Sequence, residues 1–361
     1  MLAKISILYN AQWKKNNLQD SNTIKRLFYA NKNGLFNDVN SNSCALGFSD
    51  PEFFTKLKMD NITICHPEKS VIKKATKLNH LTVVNYDGVR KKNNNIFNTS
   101  FVNVTKSRKE TYFYIAISFF ITKYNGKIFI VGDNTLGIDF FLKKIGSFIK
   151  LNILSKSHGK IGYFRRPKFI PNEISIWKKY GKYKKVHSDF YTLPGCFSEK
   201  GVDKGSELLV KNFSNNLHGK VVDLGAGWGY LSAKALENNK SINQIFLIES
   251  NLNALNCARV NISNPKAKFY WKDIEIENLD LKNFDHVIMN PPFHKDKNFR
   301  HSLVITFLNI AKDVISRRGI LWMVHNKELP YEKYINDLFP SYKYIEVTKN
   351  YKVVKAINNI Y

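Results

Sequence analysis

Two short segments constrain the second half of this chain more than any other feature of its 361 residues. Residues 223–229 read DLGAGWG and follow one apolar run, and residues 290–293 read NPPF and follow another. Glycines directly after a strand let the backbone turn sharply and approach a ligand at the carboxyl end of that strand. The two segments therefore predict a parallel sheet with one binding site at its edge.

After about residue 185, apolar runs of strand length alternate with amphipathic runs of helix length. This alternation is typical of a mostly parallel sheet flanked by helices, so we predict an α/β fold. The predicted strands are 221–224, 244–248, 268–271, 286–289 and 320–324, the predicted helices are 230–237, 252–261 and 302–316, and the runs 344–347 and 352–357 are a predicted antiparallel pair.

The first half repeats this pattern more faintly. Its predicted strands are 62–65, 101–104 and 127–131, and its predicted helix is 109–121. A glycine loop should follow the run 128–131, but residues 132–137 read GDNTLG, so two of the glycines that allow close approach to a ligand are missing. We therefore expect the first half to hold no cofactor.

The chain is long enough for two domains that each bury a core. The polar, basic stretch 177–185 separates the two patterns, so we predict domains at 1–185 and 186–361. The net charge of +27 is uneven, since residues 1–190 hold 33 Lys and Arg against 12 Asp and Glu. Such an excess favours a polyanion, because each neutralised phosphate releases counterions. A compositional bias towards Lys and Asn is the alternative, and we expect a nucleic acid partner.

Four scattered cysteines, with no CxxC pair and no Cys/His spacing of a metal site, predict a reducing, cytoplasmic setting and no metal. The N-terminus lacks the charged region and the cleavage site of a signal peptide. The longest apolar run, 113–121, is far shorter than the roughly 20 residues that span a bilayer. We expect a soluble monomer with no membrane partner.

The glycine segment predicts the cofactor. Asp223 ends a predicted strand, and Gly225, Gly227 and Gly229 alternate before the next predicted helix. This G-x-G-x-G spacing differs from the G-x-G-x-x-G of pyrophosphate binders, which favours S-adenosylmethionine over a dinucleotide. An ordinary turn between a strand and a helix is the alternative.

Acidic residues at the ends of two later strands complete the predicted cofactor site. Glu249 lies 20 positions after Gly229, where a carboxylate can accept both ribose hydroxyls of a nucleoside. A solvated acid that caps the next helix is the alternative for Glu249. Asp273 can accept from the adenine amine, with Glu275 and Glu277 as close competitors.

The NPPF segment predicts the reaction. The exocyclic amine of a base is a poor nucleophile, because its lone pair is delocalised into the ring. The Asn290 side-chain oxygen and the Pro291 carbonyl can accept its two hydrogens and aim the nitrogen at a sulfonium methyl group. Pro291 and Pro292 fix the backbone, and Phe293 offers a face on which a base turned out of its helix can stack.

Basic residues follow this segment. His294 is a candidate contact for the base or for a phosphate, and Lys295, Lys297 and Arg300 are candidates for the path of the nucleic-acid backbone. A merely exposed histidine and a solvated run of charge are the alternatives.

These residues together resemble the ribosomal RNA guanine-N2 methyltransferases of bacteria. The segments that carry the resemblance are TLPGCFS at 192–198, GVDKGSELL at 201–209, the glycine segment, NPPFH at 290–294 and LPY at 329–331. The resemblance covers about residues 185–357 and extends more loosely back to about residue 100. It is greatest to the small-subunit (16S) enzymes, and the large-subunit relatives are the close alternative.

The resemblance implies two tandem Rossmann-like class I methyltransferase domains, the first degenerate and RNA-handling, the second catalytic. It also implies that Phe197, Gly205 and Ser206 lie over the methionine end of the cofactor; a hairpin that only joins the domains is the alternative. The sequence KDKNFR at 295–300 differs from these relatives. Trp228 inside the glycine segment is bulky, and an outward-facing position would tolerate it.

The sequence therefore predicts an enzyme that transfers a methyl group from S-adenosylmethionine to the N2 amine of a guanine in 16S ribosomal RNA. Its partner would be the naked RNA or the small ribosomal subunit. The same hydrogen bonds would serve a 23S enzyme, an adenine-N6 methyltransferase or a glutamine-amide methyltransferase. A catalytically inactive RNA-binding assembly factor is the alternative that is not an enzyme.

Overall fold

The computed structural model describes residues 22–39, 42–60, 62–83, 96–187, 189–292 and 297–359, with the side chains of 297–302 left out. The chain divides into two compact units. The first unit consists of Met1–Pro67 and Val71–Lys182, and the second consists of Glu68–Ser70 and Tyr183–Tyr361. Each unit is built on a seven-stranded sheet.

The sheet of the first unit is mostly parallel. Its strands are β1 (Ser43–Leu46), β2 (Thr63–Cys65), β3 (Leu81–Val83), β4 (Phe97–Asn103), β5 (Thr122–Asp133), β6 (Asn152–Lys156) and β7 (Gly159–Arg165), in the order β3-β2-β1-β4-β5-β7-β6. Only β7 runs antiparallel to its neighbours β5 and β6. The helices along this part of the chain are Asn22–Lys32, Glu52–Lys56, Lys69–Lys77, Arg108–Ile121, Ile138–Gly146 and Asn172–Lys178, with 3-10 turns at Asn134–Leu136 and Lys179–Gly181.

The second unit begins with a hairpin of β8 (Lys184–Val186) and β9 (Phe190–Thr192). Its sheet contains β10 (Gly219–Leu224), β11 (Ile242–Glu249), β12 (Ala267–Trp271), β13 (Phe284–Met289), β14 (Ile315–Asn326), β15 (Ser341–Val347) and β16 (Tyr351–Ile357), in the order β12-β11-β10-β13-β14-β16-β15. Its helices are Lys204–Phe213, Tyr230–Asn238, Leu252–Asn261, Lys297–Val314 and Glu332–Leu338. The predicted closing antiparallel pair is present as β15 and β16.

Alternate residues of each central strand point to opposite faces of its sheet, and helices cover both faces. In β10, Val222 and Leu224 pack with the helix Lys297–Val314, whereas Val221 packs on the other face with Leu231 and its neighbours. The predicted α/β fold with two Rossmann-like halves is confirmed.

The two sheets have the same strand order and the same register. In the second unit, Leu224 at the end of β10 lies level with Met289 on β13, so Gly225 and Asn290 come next on neighbouring strands. In the first unit, Leu46 at the end of β1 lies level with Val102 on β4. Gly47 and Asn103 are therefore the positional counterparts of Gly225 and Asn290.

This register corrects the sequence prediction about the first half. The glycine loop was expected after 128–131, but these residues belong to β5, which has the place of β14 in the sheet. The strand equivalent to β10 is β1, and it is followed by Gly47 and the fully buried Phe48. A Cβ added to Gly47 would lie 2.6 Å from a ring carbon of Tyr114. Aromatic rings therefore pack against the counterpart of the glycine loop, while the expectation of no cofactor in this half stays a prediction.

None of the helices in the described ranges combines the length and the apolar composition that crossing a membrane requires.

The close approach of Tyr114 to Gly47 gives a stability prediction. Gly47 and Gly137 both have positive φ, +74° and +78°, but no atom lies within 4 Å of a Cβ built on Gly137. Gly137→Ala should lower the unfolding free energy by about 1 kcal/mol through backbone strain alone. Gly47→Ala should lower it by roughly 1 to 3 kcal/mol more, because the added methyl group overpacks the ring. Urea unfolding followed by circular dichroism measures both, and equal losses would contradict this packing.

Candidate active site

The three glycines after β10 have different surroundings. Gly225, Gly227 and Gly229 all have positive φ, at +73°, +56° and +87°. A Cβ on Gly229 would lie 3.0 Å from Ala258 and from Ile262, so this glycine lets the loop pack on the helix Leu252–Asn261. A Cβ on Gly227 would meet no atom within 4 Å. Gly227 therefore lies where the backbone borders open space and can approach a ligand.

The side chain of Glu249 is held beside this loop at the end of β11. Its Oε2 accepts a hydrogen bond from the Gly227 backbone N–H at 2.7 Å, and its Oε1 accepts from the Asn251 N–H at 2.8 Å. A carboxylate has about four lone-pair positions, so both oxygens keep the capacity to accept from hydroxyl groups. Burial raises the pKa of Glu249 to about 7.

Asp223 lies one layer beneath the loop. Its Oδ2 accepts from the Ser232 hydroxyl at 2.6 Å, which ties the end of β10 to the helix Tyr230–Asn238. Its Oδ1 is buried and has no hydrogen-bond partner among the residues that the structure describes. Burial raises the pKa of Asp223 to about 7. Asp223 thus supports the loop from behind and does not line the pocket described below.

Asp273 follows β12, which pairs with β11, so it lies at the same edge of the sheet as Glu249. Its Oδ1 accepts from the Glu275 N–H, and its own N–H donates to Glu277 Oε2, both at 3.0 Å. The side chain is 7% exposed. Glu275 and Glu277, the two competitors for the role of Asp273, are thus both hydrogen-bonded to Asp273 itself, Glu275 through its backbone and Glu277 through its side chain.

The Asn290 side chain is anchored through its amide nitrogen, while its amide oxygen makes no hydrogen bond to a described residue. Its Nδ2 donates to Asp203 Oδ2 and to Ser206 Oγ, each at 2.8 Å. Its Oδ1 is buried and accepts no hydrogen bond from any part of the chain that the structure describes. A buried carbonyl oxygen without a donor is costly, so this atom is a candidate acceptor for a ligand.

A pocket collects residues from three separate stretches of the second unit. Its lining includes the predicted site residues Phe197, Ser206, Gly225, Gly227 and Asn290. The other lining residues were not predicted as site residues, and these are Ser198, Asp203, Ala226, Trp228, Tyr230 and Leu231. Gly205 is buried next to the pocket, where a Cβ would lie 3.0 Å from Asp203 Oδ2.

Trp228 does not take the outward-facing position that would tolerate its bulk. Its side chain is only 4% exposed and packs with Cys196 and Cys257 in a small apolar cluster. Its indole Nε1 donates to the Phe197 carbonyl at 3.0 Å, and its own carbonyl accepts from Asn261 Nδ2 at 2.8 Å. The segment that follows β9 covers the ring, and a single sequence gives no signal of that cover.

Only part of the predicted substrate site lies among the described residues. Phe293, His294 and Lys295 lie outside the described residues, and Lys297 and Arg300 lie in the helix Lys297–Val314 without described side chains. Pro291 is buried and Pro292 is partly buried, directly after β13. Within the described ranges, no group of three or more His, Cys, Asp or Glu side chains is arranged to hold a metal ion.

A comparison with protein families identifies the chemistry of this unit. The family model described as the methyltransferase small domain matches residues 187–355. Residues 187–355 are a methyltransferase domain. The matched residues contain the glycine loop, Glu249 and Asn290, so the candidate site lies inside the methyltransferase domain.

The chain is similar to proteins named ribosomal RNA small subunit methyltransferase C. It is 28% identical over 260 residues to that of Buchnera aphidicola subsp. Acyrthosiphon pisum (strain APS), across 70% of this chain and 74% of that protein. It is 29% identical over 255 residues to that of Actinobacillus succinogenes, across 69% and 75%. The predicted resemblance to the small-subunit enzymes is confirmed.

A solved structure has a similar fold. It is the T. thermophilus 16S rRNA N2 G1207 methyltransferase (RsmC) in complex with AdoMet and guanosine, with a TM-score of 0.74, 16% sequence identity and coverage of 88% of each chain. At this identity the likeness shows a common fold.

The raised pKa of Glu249 predicts a pH dependence of cofactor affinity. Ribose hydroxyls donate to a carboxylate, so binding should favour the ionised form of Glu249. Between pH 8 and pH 6 the ionised fraction of a group with a pKa of about 7 falls about tenfold, and the Kd for S-adenosylmethionine should rise by about that factor. Calorimetry at both pH values measures it.

Glu249→Gln is the control, because a glutamine side chain cannot ionise. Any pH dependence that comes from the cofactor or from Asp223 remains in the Glu249→Gln variant, so the difference between the two proteins isolates Glu249. Identical pH profiles would contradict the assigned role.

Proposed function

We propose that this methyltransferase transfers a methyl group from S-adenosylmethionine to the exocyclic N2 amine of a guanine in 16S ribosomal RNA. The observation that carries the proposal is the Asn290 carboxamide. Its NH2 group is held by Asp203 and Ser206, and its Oδ1 is buried without a donor. This oxygen would accept a hydrogen bond from a planar amine bound in the pocket.

The residues around the pocket fit S-adenosylmethionine. Gly227 leaves open space where a side chain would otherwise stand, so the backbone can lie against the cofactor. Glu249 would accept from the ribose hydroxyls, and Asp273 would accept from the adenine amine. Phe197 and Ser206 line the same pocket as the loop, which suits the role over the methionine end that the resemblance implies. When bound, the cofactor supplies a methyl group on a positively charged sulfur.

Asn290 would act on the nucleophile. When the guanine N2 amine donates a hydrogen to Asn290 Oδ1, its lone pair becomes more available on nitrogen and points away from the ring plane. The nitrogen would form a bond to the methyl carbon as the bond between that carbon and sulfur breaks, with S-adenosylhomocysteine as the leaving group, and the methylated nitrogen would lose one proton to water. Catalysis would come mainly from positioning.

The relatives support the choice of substrate. The two relatives described above carry the name ribosomal RNA small subunit methyltransferase C, and the T. thermophilus structure is a complex with AdoMet and guanosine. A guanine presents an exocyclic amine at N2, which is the group that the free oxygen of Asn290 is suited to accept from. We also propose that residues 186–361 carry out the catalysis, and that the protein acts as a monomer in a reducing cytoplasmic setting.

We further propose that residues 1–185 hold the RNA. Their charge supports this role, since residues 1–190 carry 33 Lys and Arg against 12 Asp and Glu. One corner of the first unit combines exposed aromatic and cationic side chains, as surfaces that bind single-stranded RNA do. We call it the Tyr124 corner, and it consists of Lys123, Tyr124, Arg165, Lys168 and Phe169.

Backbone contacts hold the Tyr124 corner together. The Arg166 N–H donates to the Gly126 carbonyl at 2.8 Å, and the Asn125 N–H donates to the Arg166 carbonyl at 3.0 Å. These bonds place the start of β5 next to the chain that leaves β7. Phe169 is 81% exposed and Tyr124 is 64% exposed, so both rings are available for stacking with bases.

Removing the carboxamide gives the first test of the proposed reaction. Asn290→Ala should lower kcat by about 100- to 1000-fold, because it removes an oriented acceptor for the amine. The Kd for S-adenosylmethionine should change little. Methyl transfer to small ribosomal subunits and to naked 16S RNA is measured with a radiolabelled methyl group. Asn103→Ala is the matched control, since it makes the same change at the same sheet position of the first unit and should leave kcat unchanged.

The nucleosides of a strain without this gene show whether the substrate is right. Mass spectrometry of digested 16S RNA should show the loss of one N2-methylguanosine, and primer extension locates the position. An unchanged amount in 16S RNA would contradict the proposal. A loss confined to 23S RNA, to N6-methyladenosine or to a methylated glutamine would identify one of the alternatives, and no cofactor binding in calorimetry would indicate an inactive assembly factor.

The Tyr124 corner predicts a separate effect on RNA affinity. Replacing both Tyr124 and Phe169 by alanine should weaken binding of a 16S RNA fragment by roughly 30-fold or more, since each lost stacking contact costs about 1 to 3 kcal/mol. The Kd for S-adenosylmethionine should stay the same. Leu81→Ala is the control, because Leu81 is 62% exposed on β3, the edge strand on the other side of the same sheet. Filter binding measures the RNA affinities, and an unaltered affinity of the double variant would exclude this corner.

A further inference from the structure

One carboxylate oxygen joins the start of a helix to the catalytic amide. Asp203 is the N-cap of the helix Lys204–Phe213, and its Oδ2 accepts from the Ser206 backbone N–H at 2.9 Å. The same Oδ2 accepts from Asn290 Nδ2 at 2.8 Å. Asp203 and Asn290 are 87 positions apart in the sequence, so this bond connects the segment before the helix to the end of β13.

The charge state of Asp203 decides which way the Asn290 amide faces. An amide side chain has a broad terminal torsion and can present either its oxygen or its NH2 group to a neighbour. A carboxylate only accepts hydrogen bonds, so it must face the NH2 group. Ser206 Oγ, the other partner of Nδ2, can donate as well as accept. Ser206 by itself would therefore tolerate both orientations, and Asp203 fixes one.

We propose that Asp203 is a positioning residue that holds the Asn290 Oδ1 towards the substrate amine. This inference rests on the proposed function of Asn290. With the amide turned round, its NH2 group would face the guanine amine, and two donors would oppose each other. The hydrogen bond from Nδ2 to an anion also polarises the Asn290 amide. More negative charge then lies on Oδ1, which makes this oxygen a better acceptor.

The first unit offers an internal contrast. Asn103, the positional counterpart of Asn290, donates from its Nδ2 to the Gly47 backbone carbonyl at 3.3 Å. Its amide is held by a neutral backbone group of the neighbouring strand's loop, and the segment after it reads Val104-Thr105 instead of a pair of prolines. The hydrogen bond from the asparagine amide to a carboxylate is thus found in the unit that contains the NPPF segment.

Substitutions at Asp203 separate capping from positioning. Serine is also a good N-cap residue, but its side chain is one atom shorter and falls short of Asn290. Asp203→Ser should therefore fold with a Tm close to that of the wild type and lower kcat by about 10- to 100-fold, as a misplaced catalytic group does. Asp203→Asn keeps an oxygen that can accept from both partners, so it should recover part of the lost kcat.

A double-mutant cycle shows whether Asp203 acts through Asn290. In an Asn290→Ala background there is no amide left to orient, so Asp203→Ser should cause no further loss of single-turnover rate. The expected Kd for S-adenosylmethionine is unchanged in every variant. Losses that multiply, or a tenfold weaker cofactor affinity in Asp203→Ser, would overturn the proposal and assign Asp203 to cofactor binding or to folding.

The same assay keeps the two hypotheses apart. If the wild-type protein methylates no guanine N2 in 16S RNA or in the small subunit, the proposed function fails. If the wild type is active and Asp203→Ser retains full activity, the proposed function stands and the positioning role is rejected.

Discussion

The candidate site of the second unit depends on the parallel register of three neighbouring strands, β11, β10 and β13. Because β10 pairs with both β11 and β13, the residues that follow the three strands meet at one edge of the sheet. Gly225, Glu249 and Asn290 are far apart in the sequence and would have no relation to one another in a different register. A slip by one residue would turn each strand's apolar side chains to the opposite face of the sheet, so burial of the core and assembly of the site are the same requirement.

The local signals in the sequence predict this arrangement well. Apolar runs give the strands, and glycines directly after one strand together with Asn-Pro-Pro after another give the site, because these residues restrict the backbone wherever they occur. The boundaries are less exact: the helix predicted at 302–316 spans Lys297–Val314, and the strand after it begins already at Ile315. The methyltransferase chemistry follows from the same few residues.

Partnerships formed through folding could not be predicted in the same way. Asp203 caps the helix Lys204–Phe213, which was not predicted from the sequence, and nothing in the sequence shows that its oxygen also reaches Asn290. The cover over Trp228 depends on where the segment after β9 lies. In the first unit, β1 has only four residues and its loop carries Phe48 where the second unit has Ala226, so the faint glycine signal was sought after the wrong strand.

Trp228 also sets how the pocket can move. Trp228 is part of the glycine loop, but its ring packs in the apolar cluster that includes Cys196 from the segment after β9. Its backbone carbonyl accepts from Asn261, at the end of the helix Leu252–Asn261. The loop cannot loosen without exposing a large indole to water. The glycine loop, the segment after β9 and the helix Leu252–Asn261 should therefore unfold cooperatively. The binding cleft is accordingly preorganised. The conformational entropy of the residues that form the cleft is lost once, when the chain folds, and is not lost again at every turnover.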